Sequence, residues 1–357
     1  MRILYFGVYD PSYARNWVLI NGLRKNGVEV VELRKKPGHF ALLKLFFDYL
    51  KFKQNYDVMV VGFPGQEVMF LAKLLAWRRP IVFDAFTSHY GGYILDRERW
   101  SKNSLRAKYF KFLDKWSCRL ADVVLLDTNA HIGFFVKEFG LTKEKFRRIW
   151  IGANDENFKP IEGKSHEDNK FHLIFFGTYV PLQGAEYIVR AAKILESQED
   201  IIFHFIGKGQ DKPKSVSLAI ELGLKNIEFV GMMKPEDLRV EIAKSDVVLG
   251  LFGNTPKTPI VIPNKVYEAL AMKKPVITAD TQAARELFDD GDMYLIPAAN
   301  PEELAKTIIE LKNNQNLRIK LSENGYKKFI NHASSKVLGS QLREILFNQC
   351  LPKNPKF

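Results

Sequence analysis

With 357 residues the chain exceeds one typical domain and suits two, and its 46% apolar and 13% aromatic content supplies two cores. Two cysteines, Cys118 and Cys350, exclude a disulfide framework and a cysteine-rich zinc site, so a reducing, cytoplasmic setting is expected. The net charge of +12 is lopsided: residues 1–160 carry 27 basic and 16 acidic side chains, net +11, which points that half at nucleic acid, anionic lipid or a phosphate-bearing substrate.

In chain order, Met1–Gly7 reads as a strand and a glycine turn, without the apolar stretch of a signal peptide. No apolar run approaches the ~20 residues of a membrane span. Further strands are expected at Glu29–Leu33, Asp57–Val61, Ile81–Asp84, Asp122–Leu126 and Arg147–Trp150. The second half repeats the pattern at His172–Phe176, Ile201–Ile206, Ile227–Val230, Asp246–Leu251, Pro275–Thr278 and Met293–Ile296. Near-continuous Val, Ile, Leu and Phe runs suit strands buried on both faces of a parallel sheet, and the helical patterns between them give β-α-β units. The expectation is α/β: two doubly wound domains, separated within the polar, aperiodic stretch Pro160–Lys170. After Ala298 the chain reads as helical to about Asn348, with a last helix crossing back to the first domain.

Ligands of such sheets bind outside the C-terminal strand ends. In the first half the loop Gly7–Asn16 stands there, and its Arg15 suits an anionic acceptor. The loop Asp84–Gly92 carries His89, either a proton shuttle and phosphate partner or a satisfied surface histidine. The segment Phe40–Lys53 has Lys44, Asp48 and Lys51 as its single polar stripe and follows Arg34, Lys35 and Lys36. Arg106–Leu120, with Lys108, Lys111, Lys115 and Trp116, adds a second basic aromatic patch. Such helices lie in membrane interfaces, or pack in a sheet sandwich with one solvated edge. No motif supports a nucleic-acid partner.

In the second half, Phe176–Gly184 leaves a strand for a helix, and Gly177 lets backbone approach a ligand such as a diphosphate. Gly207-Lys208-Gly209 and Val230-Gly231 end the next two strands and suit a nucleotide and its base edge. In Ile262–Thr278, Pro263 opens a helix whose first-turn N–H groups and positive dipole end hold a phosphate beside Lys265, while Glu268 suits a ribose diol. Each has a bland alternative, a tight turn or an ordinary amphipathic helix. Their convergence on one face favours a nucleotide-sugar site. No HExxH, Cys/His metal cluster, Walker loop or GxSxG is present.

Over nearly its whole length the sequence resembles the retaining GT-B glycosyltransferases that build lipopolysaccharides, capsules and lipid-linked glycans. Trp150–Pro160 is similar to that family's "P-x-G-V-D-x-x-x-F-x-P" segment, Phe175–Gly184 to its "G-R…K-G" loop, and Asp246–Gly250 to its "aDv-x-l" strand. Asn264–Val276 is similar to its "K-x-x-E-A-x-A-x-x-x-P-V" motif, and Asp122–Thr128 to the strand before the last N-domain helix. The resemblance implies two Rossmann-like domains around a cleft: residues 1–165 for the acceptor, 166–334 for the nucleotide-sugar and 335–357 as the returning helix. It implies donor contacts at Gly177, Thr178, Tyr179, Gln183, Gly184, Gly207, Lys208, Val230, Asn264, Lys265 and Glu268. Tyr9, Arg15, Asp84 and His89 fall on the acceptor side, and His89, Lys265 and Glu268 are the expected catalytic set. No metal or cofactor is implied, and the expected setting is peripheral, on the inner face of the cell membrane, with a glycan or lipid-linked acceptor. The family's first glutamate falls on Ile260, and its phosphate-loop arginine and lysine fall near Thr178 and on Gln183. Those departures keep two alternatives in view, a catalytically inactive GT-B subunit that binds a glycan or partner, and a GT-B sugar-nucleotide epimerase.

Overall fold

The computed structural model describes residues 1–163 and 165–350, which form two compact units. The first comprises β1 (Arg2–Val8), α1 (Ala14–Lys25), β2 (Glu29–Lys35), α2 (Ala41–Lys51), β3 (Val58–Val61), α3 (Val68–Ala76), β4 (Ile81–Asp84), α4 (Leu105–Leu120), β5 (Val123–Leu126), α5 (Asn129–Phe139) and β6 (Phe146–Arg148). The second comprises β7 (Phe171–Tyr179), α6 (Ala185–Ile194), β8 (Ile201–Gly209), α7 (Lys212–Glu221), β9 (Ile227–Val230), α8 (Pro235–Lys244), β10 (Val247–Leu249), α9 (Asn264–Ala271), β11 (Val276–Ala279), α10 (Gln282–Arg285), β12 (Tyr294–Ile296), α11 (Pro301–Asn313) and α12 (Gln315–His332). A last helix, α13 (Ser335–Cys350), rejoins the first unit.

Both sheets have six parallel strands, in the orders β2-β1-β3-β4-β5-β6 and β12-β11-β10-β7-β8-β9. Strands β3, β4 and β5 are buried along their whole length, as helices on both faces require. Strand order reverses between β1 and β3 in the first sheet and between β7 and β10 in the second. Those two reversals open the crevices where an α/β sheet takes its ligands.

Helix α13 lies directly on α1, because Gly22 and Gly339 let the two backbones meet. A Cβ on Gly339 would stand 2.0 Å from the Gly22 carbonyl carbon. Lys25 Nζ donates to Ser335 Oγ at 2.9 Å and Asn26 Nδ2 to the Lys336 carbonyl at 2.8 Å.

Two boundaries differ from expectation. The units divide after Gly152, and the polar stretch 160–170 belongs to the second, where Asp168 accepts from the His172 ring. Strand β6 stops at Arg148 because the carbonyls of Ile149 and Trp150 turn to accept from the Arg15 guanidinium, each at 2.8 Å.

Candidate active site

In the second unit the crevice is made by two backbone loops that lock together. After β7, Pro181–Gln183 forms one 3-10 turn, and the loop after β10 donates to it from Phe252 N to Gln183 O and from Gly253 N to Leu182 O, both at 3.0 Å. Gly184, at φ +65°, has no room for a side chain, since a Cβ would lie 2.3 Å from Gly253 N. Ile260, where the related pattern carries a glutamate, packs against the apolar cluster of Val180, Leu182, Leu251, Val261 and Ala279. It stiffens this loop pair instead of carrying charge.

Helix α9 opens on Pro263, which provides no capping side chain, so the first N–H groups of the helix are left for another acceptor. Lys265, in its first turn, is 4% exposed and its Nζ has no hydrogen-bond partner. The ammonium sits 3.5 Å from the centre of the Phe175 ring, and its Cε lies 3.8 Å from where a Gly177 Cβ would stand. Burial drives the Lys265 pKa well down, with Glu268 pulling the other way. Glu268, one turn further and half-buried, has its carboxyl pushed up to about 7 by burial, against the opposing pull of Lys265. A buried lysine without a hydrogen-bond partner, on a bare helix start and next to a glycine, is the kind of arrangement that suits a phosphate.

The remaining expected donor residues are distributed unevenly. Thr178 and Lys208 are exposed at the paired ends of β7 and β8. Asn264 is half-buried at the start of α9, and the Gln183 side-chain oxygen is buried without a partner. Gly207 serves strand pairing, since a Cβ there would fall 2.0 Å from the Gly177 carbonyl oxygen. Tyr179 is 0% exposed with its ring against Phe175 and Phe205, so its side chain belongs to the core. The Val230 carbonyl, expected at a base edge, accepts from Lys212 Nζ at 2.6 Å, and the same ammonium reaches the Gly207 carbonyl at 3.0 Å. Lys212 escaped the sequence reading. Its signal was a lysine directly ahead of Pro213 at a helix start.

In the first unit, three of the four expected acceptor residues turn inward. Arg15 is 0% exposed: Nε and Nη2 clamp Asp84, itself 0% exposed, at 2.8–3.1 Å, and Nη1 holds the two β6-end carbonyls. Tyr9 is also fully buried and donates to Glu32 Oε2 at 3.1 Å. These side chains tie strand ends together and do not face an acceptor.

His89 differs. It precedes a π-helical turn, Tyr90–Asp96, an irregular geometry often found at functional sites. Its Nδ1 lies 3.6 Å from Glu67 Oε1, and its ring packs edge-on against Tyr93 and Phe110. Buried Asp114 on α4 holds the loop, accepting from Ser88 Oγ at 2.6 Å, His89 N at 3.0 Å and Tyr90 N at 2.9 Å. Nothing local in the sequence marks Asp114, because its partners come from 24–26 residues away.

Beside Glu67 opens a cleft of about 500 Å³, lined by Val8, Pro37, Phe40, Leu42, Leu43 and Pro64. Phe40, Leu42 and Leu43 also belong to an exposed apolar face that continues with Phe47 and Leu50 of α2. Helix α3, beside α2 and α4, adds Phe70, Leu74 and the 78%-exposed Trp77, and α4 adds Tyr109, Phe112 and Trp116. Lys44, Lys51, Lys73, Arg78 and Lys108 stand exposed among them. Among the described residues no helix is long and apolar enough to cross a membrane.

Two parallel doubly wound sheets of this order, with ligand crevices at both reversals, define the GT-B class of glycosyltransferase folds. Residues 156–328 match the family described as glycosyl transferases group 1. It is similar to an uncharacterised glycosyltransferase of Methanocaldococcus jannaschii, 26% identical over 299 residues that cover 82% of this chain and 72% of the relative. It is also similar to LpsE, a lipopolysaccharide core biosynthesis glycosyltransferase of Rhizobium meliloti, 22% identical over about half of each chain. Anabaena HepE, solved in complex with UDP-glucose, shares the fold with a TM-score of 0.74 over 97% of this chain and 99% of its own, at 18% identity.

Proposed function

We propose that this chain is a glycosyltransferase that moves a sugar, with retention and without a metal, from a nucleotide-sugar to a lipid-linked envelope glycan at the inner membrane surface. The observation that carries the donor half is Lys265. A desolvated ammonium with no hydrogen-bond partner is costly unless a ligand supplies the anion, and a nucleoside diphosphate does. The Asn264 and Lys265 N–H groups would hold its terminal phosphate, and Glu268 would accept from the ribose hydroxyls. As the glycosidic C–O bond breaks, Lys265 and the helix start stabilise charge on the departing phosphate oxygen. The acceptor hydroxyl enters on the same face and passes its proton to that oxygen, so no carboxylate base is needed. Transfer is therefore expected to persist in EDTA. A panel of UDP-, GDP-, ADP- and CMP-sugars assayed with EDTA present tests both points, and complete loss of turnover in EDTA by a chain that stays folded would refute metal independence.

The lipid-linked acceptor draws on the apolar cleft beside Glu67, whose wall is also the exposed face of α2. A lipid tail on that face would bring its head group toward the His89 loop. A sugar-nucleotide epimerase would have no use for such a surface. The chain is expected to co-sediment with phosphatidylglycerol vesicles, to be released at high salt, and to lose binding when Leu43 and Phe47 are both changed to Glu. Equal binding to neutral vesicles, or an unaffected double variant, would count against it. An inactive binding subunit is the second reading, favoured by the apolar packing of Ile260 at the position of the family's glutamate. A chain that binds nucleotide-sugars but neither transfers nor hydrolyses any would establish that reading.

Glu268 adds a pH signature. Its folded pKa of about 7 lies above the ordinary 4.5, so the native state keeps the proton longer than the unfolded chain. That contribution to stability is complete below pH 4.5 and is lost as pH rises to about 7. The melting temperature of the ligand-free chain should fall across this window relative to Glu268→Gln. Parallel curves for the two proteins would remove the assignment.

A further inference from the structure

At the opposite, N-terminal edge of the second sheet, three imidazoles meet. His172 on β7 and His204 on β8 face each other, with His172 Nδ1 2.8 Å from His204 Nε2. His166, from the segment ahead of β7, stacks on His172 at a ring-centre distance of 3.6 Å and lies 5.1 Å from His204. One ring nitrogen from each of the three lies within 4.8 Å of the others. None of these residues serves the donor crevice. His172 and Gly177 are five positions apart on one strand, about 17 Å at the usual rise.

The back of each facing ring is fixed by a carboxylate. His172 Nε2 lies 2.8 Å from Asp168 Oδ1, and His204 Nδ1 lies 3.0 Å from Glu228 Oε2 on β9. A carboxylate only accepts, so each of these nitrogens carries the ring's proton, and in neutral imidazole the other nitrogen then bears a bare lone pair. With both rings neutral, two lone pairs face one another 2.8 Å apart, inside a site where His172 is 3% exposed. Such a pair is repulsive until a proton or a metal ion bridges it. A carboxylate behind each ligating histidine is the usual outer shell of a metal site, fixing the tautomer and raising ligand basicity.

We propose that His166, His172 and His204 bind one divalent transition-metal ion of the zinc class, which clips the segment ahead of β7 onto the sheet edge. Three imidazole nitrogens suit zinc, nickel or copper and not magnesium or calcium, which prefer oxygen. Zinc–nitrogen bonds of about 2.0–2.1 Å in tetrahedral geometry need the facing nitrogens to open by about 0.5 Å and the His166 ring to turn out of its stack on His172, so that its lone pair meets the ion. The half-exposed position of His166 leaves the fourth coordination place to water. The ion would be structural and separate from sugar transfer.

The test is calorimetric titration of the EDTA-stripped full chain with ZnCl2, with MgCl2 as control. One zinc per chain is expected, with a raised melting temperature and no response to magnesium. His204→Gln should abolish saturable binding, and His166→Ala, on a loop and so the safer variant for folding, should weaken it at least 10-fold. Glu228→Gln, which touches no metal, should weaken it about 10–100-fold by releasing the His204 ring. Absence of saturable zinc binding, or equal affinity in wild type and His166→Ala, would overturn the proposal.

Discussion

Lys265→Met is expected to slow sugar transfer about 10²–10³-fold while raising the melting temperature of the ligand-free chain. The two effects share one cause. In the free protein the Lys265 ammonium is buried, has no hydrogen-bond partner and rests against the Phe175 ring, so its charge is a desolvation cost. Methionine fills the same space without that charge, and replacing an unpaired buried charge by an apolar side chain stabilises the fold. In the proposed transfer the ammonium faces the leaving diphosphate, and loss of a preorganised donor of this kind costs about 10²–10³-fold in kcat. A variant that kept near-normal kcat would remove Lys265 from the chemistry. One that lost both activity and stability would make it a packing residue. The substitution therefore separates a catalytic role from a structural one in a single protein.

Arg15→Met is expected to act in the opposite sense, through stability. Arg15 and Asp84 are both fully buried, and removing the arginine leaves a carboxylate and the carbonyls of Ile149 and Trp150 without donors. Breaking one side of a buried ion pair costs about 3–5 kcal/mol, which for a unit of this size lowers the melting temperature by roughly 10 °C. Arg15→Met combined with Asp84→Asn should cost less than Arg15→Met alone, because the uncompensated charge is gone. The measurements are chemical unfolding of both variants and the acceptor KM. If Arg15 instead touched an anionic acceptor, the single variant would raise that KM and leave the unfolding midpoint unmoved.

The fold was legible because parallel strands buried on both faces must be apolar throughout, and runs such as Val58–Val61 and Val123–Leu126 cannot be hidden in a sequence. The start of helix α9 was legible for a similar reason. Helix starts are local, so Pro263, Lys265 and Glu268 fall within six positions of one another. The first unit resisted the same treatment. Tyr9, Arg15 and Asp84 lie on strand-end loops, yet whether a polar side chain there turns to solvent or inward depends on partners such as Glu32, Ile149 and Trp150, which are 23 to 135 residues away.

Asp114 and the histidine trio make the same point. Their roles come from groups that the sheet or a helix crossing brings together, and no spacing announces them. By itself the sequence determined the strand count, the parallel α/β class and the lysine at a helix start, because periodicity and helix-start chemistry are written in adjacent residues. Only the tertiary structure decided which charges are buried, which are paired and which are left unpaired, because desolvation and hydrogen-bond partners depend on distant chain segments meeting in space.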